Sequence, residues 1–283
     1  MPGANPLERV PTKRIEQKES SKIEKMVVFR LRHGETDYHE HTGEKKLNPG
    51  ECDITETGRK MMEKDAEIIM QQIDKNKDII CVVSSPRIRA KNGKDIIEHE
   101  LRLRGYNVWE GDVVDEPQKF VRGLDMYDSD GEVIDLEDSE YSVAYNNLVE
   151  ETEKIKPVDQ SHEQFYSQLE DDRLETVKSA GERARYQLSK FVRIARNVQS
   201  KINKRIVIVE IEHCETLNDI YSQASHGEYS MEKDTGPVRG EMIRLDIPTD
   251  SSKNDIGVKF LDESRGGKNT VVKYDYLKKE FIN

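Results

Sequence analysis

The sequence contains few cysteines and no long hydrophobic run. Among its 283 residues are three cysteines, Cys52, Cys81 and Cys214. Their odd number and wide spacing argue against a disulfide framework and against a zinc cluster. No stretch approaches the roughly 20 consecutive apolar residues of a membrane-spanning helix, and the N-terminus is rich in Pro, Lys and Glu, so we expect neither a signal peptide nor a membrane helix. These absences predict a cytoplasmic protein.

Positive charge is also in deficit. The chain has 45 Lys and Arg residues against 56 Asp and Glu residues, a net charge of −11. Binding a nucleic acid requires a concentrated basic surface, which this sequence lacks, so nucleic acid is disfavoured as a partner. A small phosphorylated substrate or a phosphoprotein is compatible with the composition, because a local cluster of arginines can capture a phosphate inside an otherwise acidic protein.

Length and composition indicate one domain with additions. Only 34% of the residues are hydrophobic and 36% are charged, so part of the chain is expected to be solvated helix surface or tail. Residues 1–25 lack helical apolar spacing and predict a mobile N-terminal tail. Residues 26–283 are long enough for one α/β core, and the acidic stretch at about residues 124–175 predicts an insertion within it.

The stretch from Met26 to Thr36 has the sequence MVVFRLRHGET, and we take it as the central element of the predicted fold. Its apolar run predicts a buried strand that ends at Arg32, His33 and Gly34, where glycine is expected to let the chain leave the sheet sharply. An imidazole beside a guanidinium at the carboxyl end of a strand suits phosphoryl transfer, because arginine presents donors that match phosphate oxygens.

A second buried strand is predicted at residues 79–83, followed by Ser-Ser-Pro-Arg-Ile-Arg-Ala at residues 84–90. Proline after two serines favours a helix start, whose free amide groups attract anions. Arg89 is then expected in the first turn of that helix, with its side chain towards a phosphate. Together with Arg32 and Arg87 it forms a predicted arginine cluster.

Helical spacing also occurs at residues 54–73 and 179–201. Thr55 is the expected N-terminal cap of the first of these helices. Gly58 interrupts the same helix, and a glycine at such a position suggests a close backbone contact.

Two later strand-like stretches end in residues that can transfer protons. A short piece at residues 107–109 leads to Asp115 and Glu116, and the strongly apolar stretch at residues 206–211 leads to His213 at a helix start. Beyond them, alternating apolar residues predict a C-terminal sheet edge with strands at 242–247 and 256–261.

Four ordered elements of this chain resemble the histidine phosphatase superfamily, whose fold is the phosphoglycerate-mutase-like fold. They are Arg-His-Gly-Glu-Thr at residues 32–36, Ser-Ser-Pro-x-x-Arg-Ala at residues 84–90, a glutamate after the third strand and a histidine after the strand at 206–211. The resemblance spans roughly residues 26–220. It implies an α/β three-layer sandwich with a mostly parallel central sheet flanked by helices, here with an acidic helical insertion.

The resemblance also implies roles for individual residues. His33 would be the nucleophile that forms a phosphohistidine, and Glu116 the proton donor, with Asp115 as its competitor. The catalytic residues implied are Arg32, His33, Arg89, Glu116 and His213. Residues implied in substrate binding are Gly34, Thr36, His39 and Cys214. The family needs neither a metal nor another cofactor.

Three functions remain open at this stage. The first is a metal-independent phosphomonoester hydrolase of the histidine phosphatase type. A phosphoglycerate-type mutase is disfavoured because the stretch after Thr36 lacks the Trp-Asn and Phe-x-Gly-Trp patterns, and His39 stands where the asparagine would be. A non-catalytic phosphate-binding or scaffold member of the superfamily is the third, since Cys214 replaces the glycine that often follows the second histidine.

Overall fold

The computed structural model describes residues 23–37, 52–111, 124–134, 139–157, 169, 171–227, 237–261 and 268–282. The strands in these ranges are β1 Lys25–Arg32, β2 Asp78–Ser84, β3 Arg205–Glu212, β4 Met242–Pro248, β5 Asp255–Phe260, β6 Asn269–Asp275 and β7 Glu280–Ile282. The helices are α1 Glu56–Met70, α2 Ile88–Leu103, α3 Ser139–Glu153, α4 Val177–Asn197 and α5 Cys214–His226, with a short 3-10 helix at Gln199–Lys201.

All seven strands form one sheet, in the spatial order β2-β3-β1-β4-β5-β6-β7. The predicted α/β class, with a central sheet flanked by helices, is confirmed. The sheet is mixed, however, and not mostly parallel: β3 pairs in parallel with β1 and β2, and the other four pairings are antiparallel. Strands β4 to β7 follow one another through short connections, which favour antiparallel pairing, whereas β1, β2 and β3 are joined through helices, which permit parallel pairing.

Both faces of the central strands are buried, which explains their continuous apolar sequence. On one face, Val28 and Ile208 pack in a core that includes Phe191 of α4 and Tyr221 of α5. On the opposite face, a second core holds the alternate strand residues together with side chains of α1 and α2. The result is three layers: helices, sheet and helices.

The topology brings three strand ends together. Because β2, β3 and β1 are adjacent and parallel, their carboxyl ends lie at the same edge of the sheet. In sheets of this kind, ligands bind in the crevice outside the carboxyl ends of the strands. The stretches that follow β1, β2 and β3 carry His33, Arg89 and His213 respectively.

Close packing at Gly34 and Gly58 fixes the chain just after β1. The Oγ1 atom of Thr55 accepts a hydrogen bond from the Gly58 amide at 3.0 Å, so the predicted cap of α1 is present. A Cβ atom on Gly58 would lie 2.2 Å from the Glu35 carbonyl oxygen, and one on Gly34 would lie 2.5 Å from the Gly58 carbonyl oxygen. The close backbone contact expected at Gly58 therefore exists. Gly34 is needed for the same close approach, and it is not among the glycines with positive φ.

Part of the predicted insertion has a small core of its own. Met126 and Leu174 form an antiparallel bridge, and they pack with Leu148 of α3 in a cluster separate from the two cores of the sheet. At the other end of the chain, residues 1–22 of the predicted tail lie outside the described residues, and β1 begins at Lys25. No helix in the described ranges is long and apolar enough to cross a membrane.

Candidate active site

His33 follows β1 and is almost fully buried, with 1% of its surface exposed. Its Nδ1 atom lies 2.8 Å from the carbonyl oxygen of Gly34. A carbonyl oxygen can only accept, so Nδ1 carries the hydrogen and, in the neutral ring, Nε2 keeps its lone pair. The hydroxyl of Thr36 lies 3.2 Å from both the Gly34 oxygen and Nδ1, on the same side of the ring. The backbone therefore selects the tautomer in which Nε2 is the nucleophilic atom.

One arginine contacts that nitrogen, and the charges of others act on the ring. Arg89 stands in the first turn of α2, as predicted, and its Nε donates to Nε2 of His33 at 3.1 Å. Arg32 is buried beside His33, and its Nη1 donates to the carbonyl oxygen of Pro237 at 3.0 Å. Arg87 is buried at the N-terminus of α2. Besides burial, the charges of Arg89, Arg87 and Arg32 all lower the pKa of His213, so the three predicted arginines lie near the same ring.

His213 lies beside His33, although 180 positions separate them in the sequence. The two ring centroids are 5.0 Å apart, with 64° between the ring planes. His213 is the residue before the first turn of α5, and its Nε2 lies 2.7 Å from the hydroxyl oxygen of Ser85. The backbone amide of His33 donates to the carbonyl oxygen of Glu212 at 3.2 Å, which ties the two histidine-bearing segments together.

Both histidines are held neutral. Burial lowers the pKa of His33 well below its usual value, and the positive charges of Arg89 and Arg32 lower it further, against the opposing bond to Gly34. Burial likewise lowers the pKa of His213, with Arg89 and the neighbouring His33 adding to the effect. A neutral imidazole with an accessible lone pair is the form that acts as a nucleophile.

A buried ionic network lies under the site on the α4 and α5 side of the sheet, and sequence reasoning missed it. Arg30 donates from Nε and Nη2 to the two carboxylate oxygens of Glu212, both at 2.6 Å. Its Nε is also 3.1 Å from Glu210, whose other oxygen accepts from Gln187 at 2.5 Å. Burial, together with the charge of Glu212, raises the pKa of Glu210. The only sequence signal was opposite charges at matching positions of two strongly apolar strands.

The sequence Gly-Pro-Val-Arg-Gly at residues 236–240 predicts a stretch that closes over the pocket, but it assigns no individual role to Arg239. Arg239 belongs to a turn, residues 237–241, that is fastened to the end of β1: the Gly240 amide donates to the Arg32 carbonyl at 3.3 Å, and the Arg32 amide donates to the Glu241 carbonyl at 3.1 Å. The charge of Arg239 is near enough to contribute to the lowered pKa of His33. The signal for this residue was the Gly-Pro-Val-Arg-Gly sequence directly before β4.

Three of the remaining predicted site residues lie beside the two histidines. Gly34 and Thr36 lie against the His33 ring. Cys214 is the half-buried first residue of α5, next to His213. The predicted proton donor Glu116, its competitor Asp115 and the loop residue His39 lie outside the described residues. Within the described residues, no group of three His, Cys, Asp or Glu side chains is arranged to hold a metal ion.

A groove of about 390 Å³ lies elsewhere, between α1 and α2. Its lining includes five carboxylates and two groups that carry or can carry positive charge: Asp53, Glu56, Glu63, Asp95, Glu100, Arg59 and His99. An excess of negative charge disfavours a phosphorylated ligand. This groove is therefore a poorer candidate for binding a phosphate than the cluster of histidines and arginines.

Several solved structures are similar to this chain. One named mycobacterial hydrolase 2 has 14% sequence identity and a TM-score of 0.50, over 79% of this chain and 83% of that one. Mycobacterial hydrolase 1 has 14% identity and a TM-score of 0.48, over 78% of this chain and 92% of that one. The native structure of a mycobacterial glucosyl-3-phosphoglycerate phosphatase has 13% identity and a TM-score of 0.47, over 79% of this chain and 90% of that one. No protein-family model and no curated protein sequence matches. At such identities the likeness concerns the fold alone.

Proposed function

We propose that this protein is a phosphomonoester hydrolase of the histidine phosphatase type, acting through a phosphohistidine on His33. The observation that carries the proposal is the state of that ring: Nδ1–H is held by the Gly34 carbonyl, and Nε2 faces a guanidinium in a buried cluster. Surface histidines rarely combine a fixed tautomer, a lowered pKa and adjacent arginines, and such combinations are characteristic of functional sites.

In the first step, Nε2 of His33 attacks phosphorus in line with the ester oxygen. A nitrogen–phosphorus bond forms, the phosphorus–oxygen bond to the alcohol breaks, and the electron pair leaves with the alcohol oxygen. Arg89 donates a hydrogen bond to Nε2 before substrate is present. When substrate binds, the Arg89 Nε–H must donate to a phosphoryl oxygen instead, which makes the lone pair of Nε2 available. Arg32 and Arg89 then offset the charge that spreads over the equatorial oxygens.

An acid must protonate the departing alkoxide, and the same group, now a base, removes a proton from the water that attacks the phosphohistidine. Glu116 is our proposed donor, with Asp115 one residue earlier as the alternative. The second step cleaves the nitrogen–phosphorus bond, returns the electron pair to Nε2 and releases inorganic phosphate. The substrate would be a small phosphorylated compound or a phosphoprotein in the cytoplasm, and no step requires a metal.

The decisive test is direct detection of the intermediate. The full chain is mixed with a 32P-labelled phosphomonoester and quenched in base. We expect an acid-labile, base-stable phosphoryl group on the protein, which is lost in His33→Ala. His99→Ala is the matched control, because His99 is an exposed histidine on α2. Turnover by His33→Ala without any phosphoprotein would contradict the mechanism.

The same experiment separates the other two functions. A mutase would transfer the phosphoryl group to a phosphoglycerate and depend on a bisphosphoglycerate primer. A non-catalytic member would bind inorganic phosphate and show neither phosphoprotein nor turnover. Activity that survives chelation of divalent metals is expected for the proposed hydrolase.

A further inference from the structure

Ser85 immediately follows β2, and its side chain contacts the ring of His213. It is fully buried, with 0% of its surface exposed, and its amide donates to the Ile211 carbonyl of β3 at 3.0 Å. Its hydroxyl oxygen accepts from the Arg87 amide at 3.3 Å and lies 2.7 Å from Nε2 of His213. The hydroxyl therefore has a fixed position, set by both the sheet and the start of α2.

The hydrogen of this hydroxyl has one destination among the described residues. A serine hydroxyl has a single hydrogen to donate, and the oxygen already accepts from Arg87. In the part of the chain that the structure describes, Nε2 of His213 is the acceptor within hydrogen-bonding distance. Buried hydroxyl groups are almost always hydrogen-bonded, so the O–H group donates to Nε2. A neutral ring whose Nε2 accepts must carry its hydrogen on Nδ1.

We infer that Ser85 is a positioning residue that sets the tautomer of His213, so that the neutral ring donates its Nδ1–H to an oxygen of the transferring phosphoryl group. This inference rests on the proposed function. Within the described ranges, Nδ1 of His213 makes no hydrogen bond of its own, which leaves it available to a ligand. In the opposite tautomer, Nδ1 would carry a lone pair instead of a hydrogen. A lone pair cannot donate to a negatively charged phosphoryl oxygen and would repel it.

The two histidines then have the same tautomer and opposite uses. In His33 the protein binds Nδ1–H through the Gly34 carbonyl and leaves Nε2 to attack. In His213 the protein binds Nε2 through Ser85 and leaves Nδ1–H to donate. The lowered pKa of His213 agrees with this assignment, because the ring is a donor without being protonated. One nucleophile and one neutral donor therefore lie 5.0 Å apart.

The tautomer can be measured without any activity. In the full chain labelled with 15N-histidine, with the His213 signals assigned by their loss in His213→Asn, Nε2 of His213 should show a pyridine-type shift and Nδ1 a pyrrole-type shift. Adding inorganic phosphate should move the Nδ1 signal and leave Nε2 in place. In Ser85→Ala the pure pyridine-type shift of Nε2 should be lost. A pyrrole-type Nε2 in the unaltered chain would overturn the inference.

Kinetics supply the second measurement. Loss of one neutral hydrogen bond predicts a fall in kcat of roughly 2- to 12-fold in Ser85→Ala, with KM changed less. Ser85→Thr, which keeps the hydroxyl, should restore the NMR signature and most of kcat. Ser84→Ala is the matched control, one residue earlier at the end of β2, and should leave both readouts unchanged. Equal effects of Ser84→Ala and Ser85→Ala would contradict a specific role.

The outcomes also separate the inference from the proposed function. A pyridine-type Nε2 that depends on Ser85, in a protein without turnover, would leave the positioning role intact and refute the hydrolase. Turnover through a phosphohistidine with a pyrrole-type Nε2 would support the hydrolase and refute the role of Ser85.

Discussion

Arg89 donates from Nε to Nε2 of His33 across 3.1 Å, so the arginine contacts the very atom proposed to attack phosphorus. The two residues are 56 positions apart: His33 directly follows β1, and Arg89 lies in the first turn of α2. Burial lowers the pKa of the imidazole, the charge of Arg89 lowers it further, and the Arg89 Nε–H occupies the lone pair of Nε2. In the proposed reaction, a bound phosphoryl group must replace this contact before Nε2 can attack.

Replacing Arg89 should affect the rate more than binding. In Arg89→Ala, kcat should fall by about 10²- to 10³-fold, the cost typical of removing one donor to a developing oxyanion, while KM rises much less. Steady-state kinetics on a generic phosphomonoester measure both parameters. Arg102→Ala, an exposed arginine at the other end of α2, is the control. A large rise in KM with an unchanged kcat would show that Arg89 serves ground-state binding alone.

The acid limb of the pH profile should lie below the ordinary histidine range. His33 must be neutral to attack, and because its pKa is lowered well below the ordinary value of about 6.5, kcat/KM should hold through that pH and fall only in more acid solution. Removing a positive charge near His33 raises the pKa of its imidazole. In Arg239→Gln the limb should therefore move to higher pH, as measured with a substrate whose own phosphate pKa is known. A limb that shifts to lower pH would contradict the placement of Arg239 near His33.

The proton donor can be identified from how strongly each variant's rate depends on the leaving group of the substrate. Glu116→Gln should slow substrates with poor alkoxide leaving groups by roughly 10²- to 10⁴-fold, whereas para-nitrophenyl phosphate, whose phenolate departs unaided, should be affected far less at the phosphorylation step. Asp115→Asn is the adjacent control. If only Asp115→Asn shows the leaving-group dependence, the donor moves by one residue. If neither does, Glu215 in the first turn of α5 is the next residue to test.

Arg30 should be essential to stability because it neutralises buried carboxylates. Arg30→Met leaves Glu210 and Glu212 buried without their cation, and the free energy of unfolding should fall by about 3–5 kcal/mol. The loss should grow between about pH 5 and pH 8, because burial and the charge of Glu212 raise the pKa of Glu210, and without the Arg30 cation the ionised form of Glu210 is disfavoured further as the pH rises. Denaturant titrations at the two pH values measure this. Lys25→Met, which breaks an exposed pair with Asp246, should cost at most about 1 kcal/mol.

Local features of the site were predictable from the sequence. Strand β1, the cap at Thr55, the position of Arg89 in the first turn of α2 and the placement of His213 at a helix start all depend on residues that are close neighbours in the chain. The periodicity of apolar residues and the chemistry of helix starts determine such features locally. The close contact at Gly58 belongs to the same class, because a glycine inside a helix had to have a packing reason.

Strand order, the antiparallel half of the sheet and the partners of each polar group were decided only by the tertiary structure. Ser85 and His213 are 128 positions apart, and Arg30 and Glu212 are 182 positions apart. Arg30, Glu210 and Glu212 interrupt two strongly apolar strands, but the sequence does not say which charge pairs with which. The pairing of β1 with β3 brings these three residues together on one covered face of the sheet. Because they are buried there, each charge is stabilised only by the opposite charges beside it.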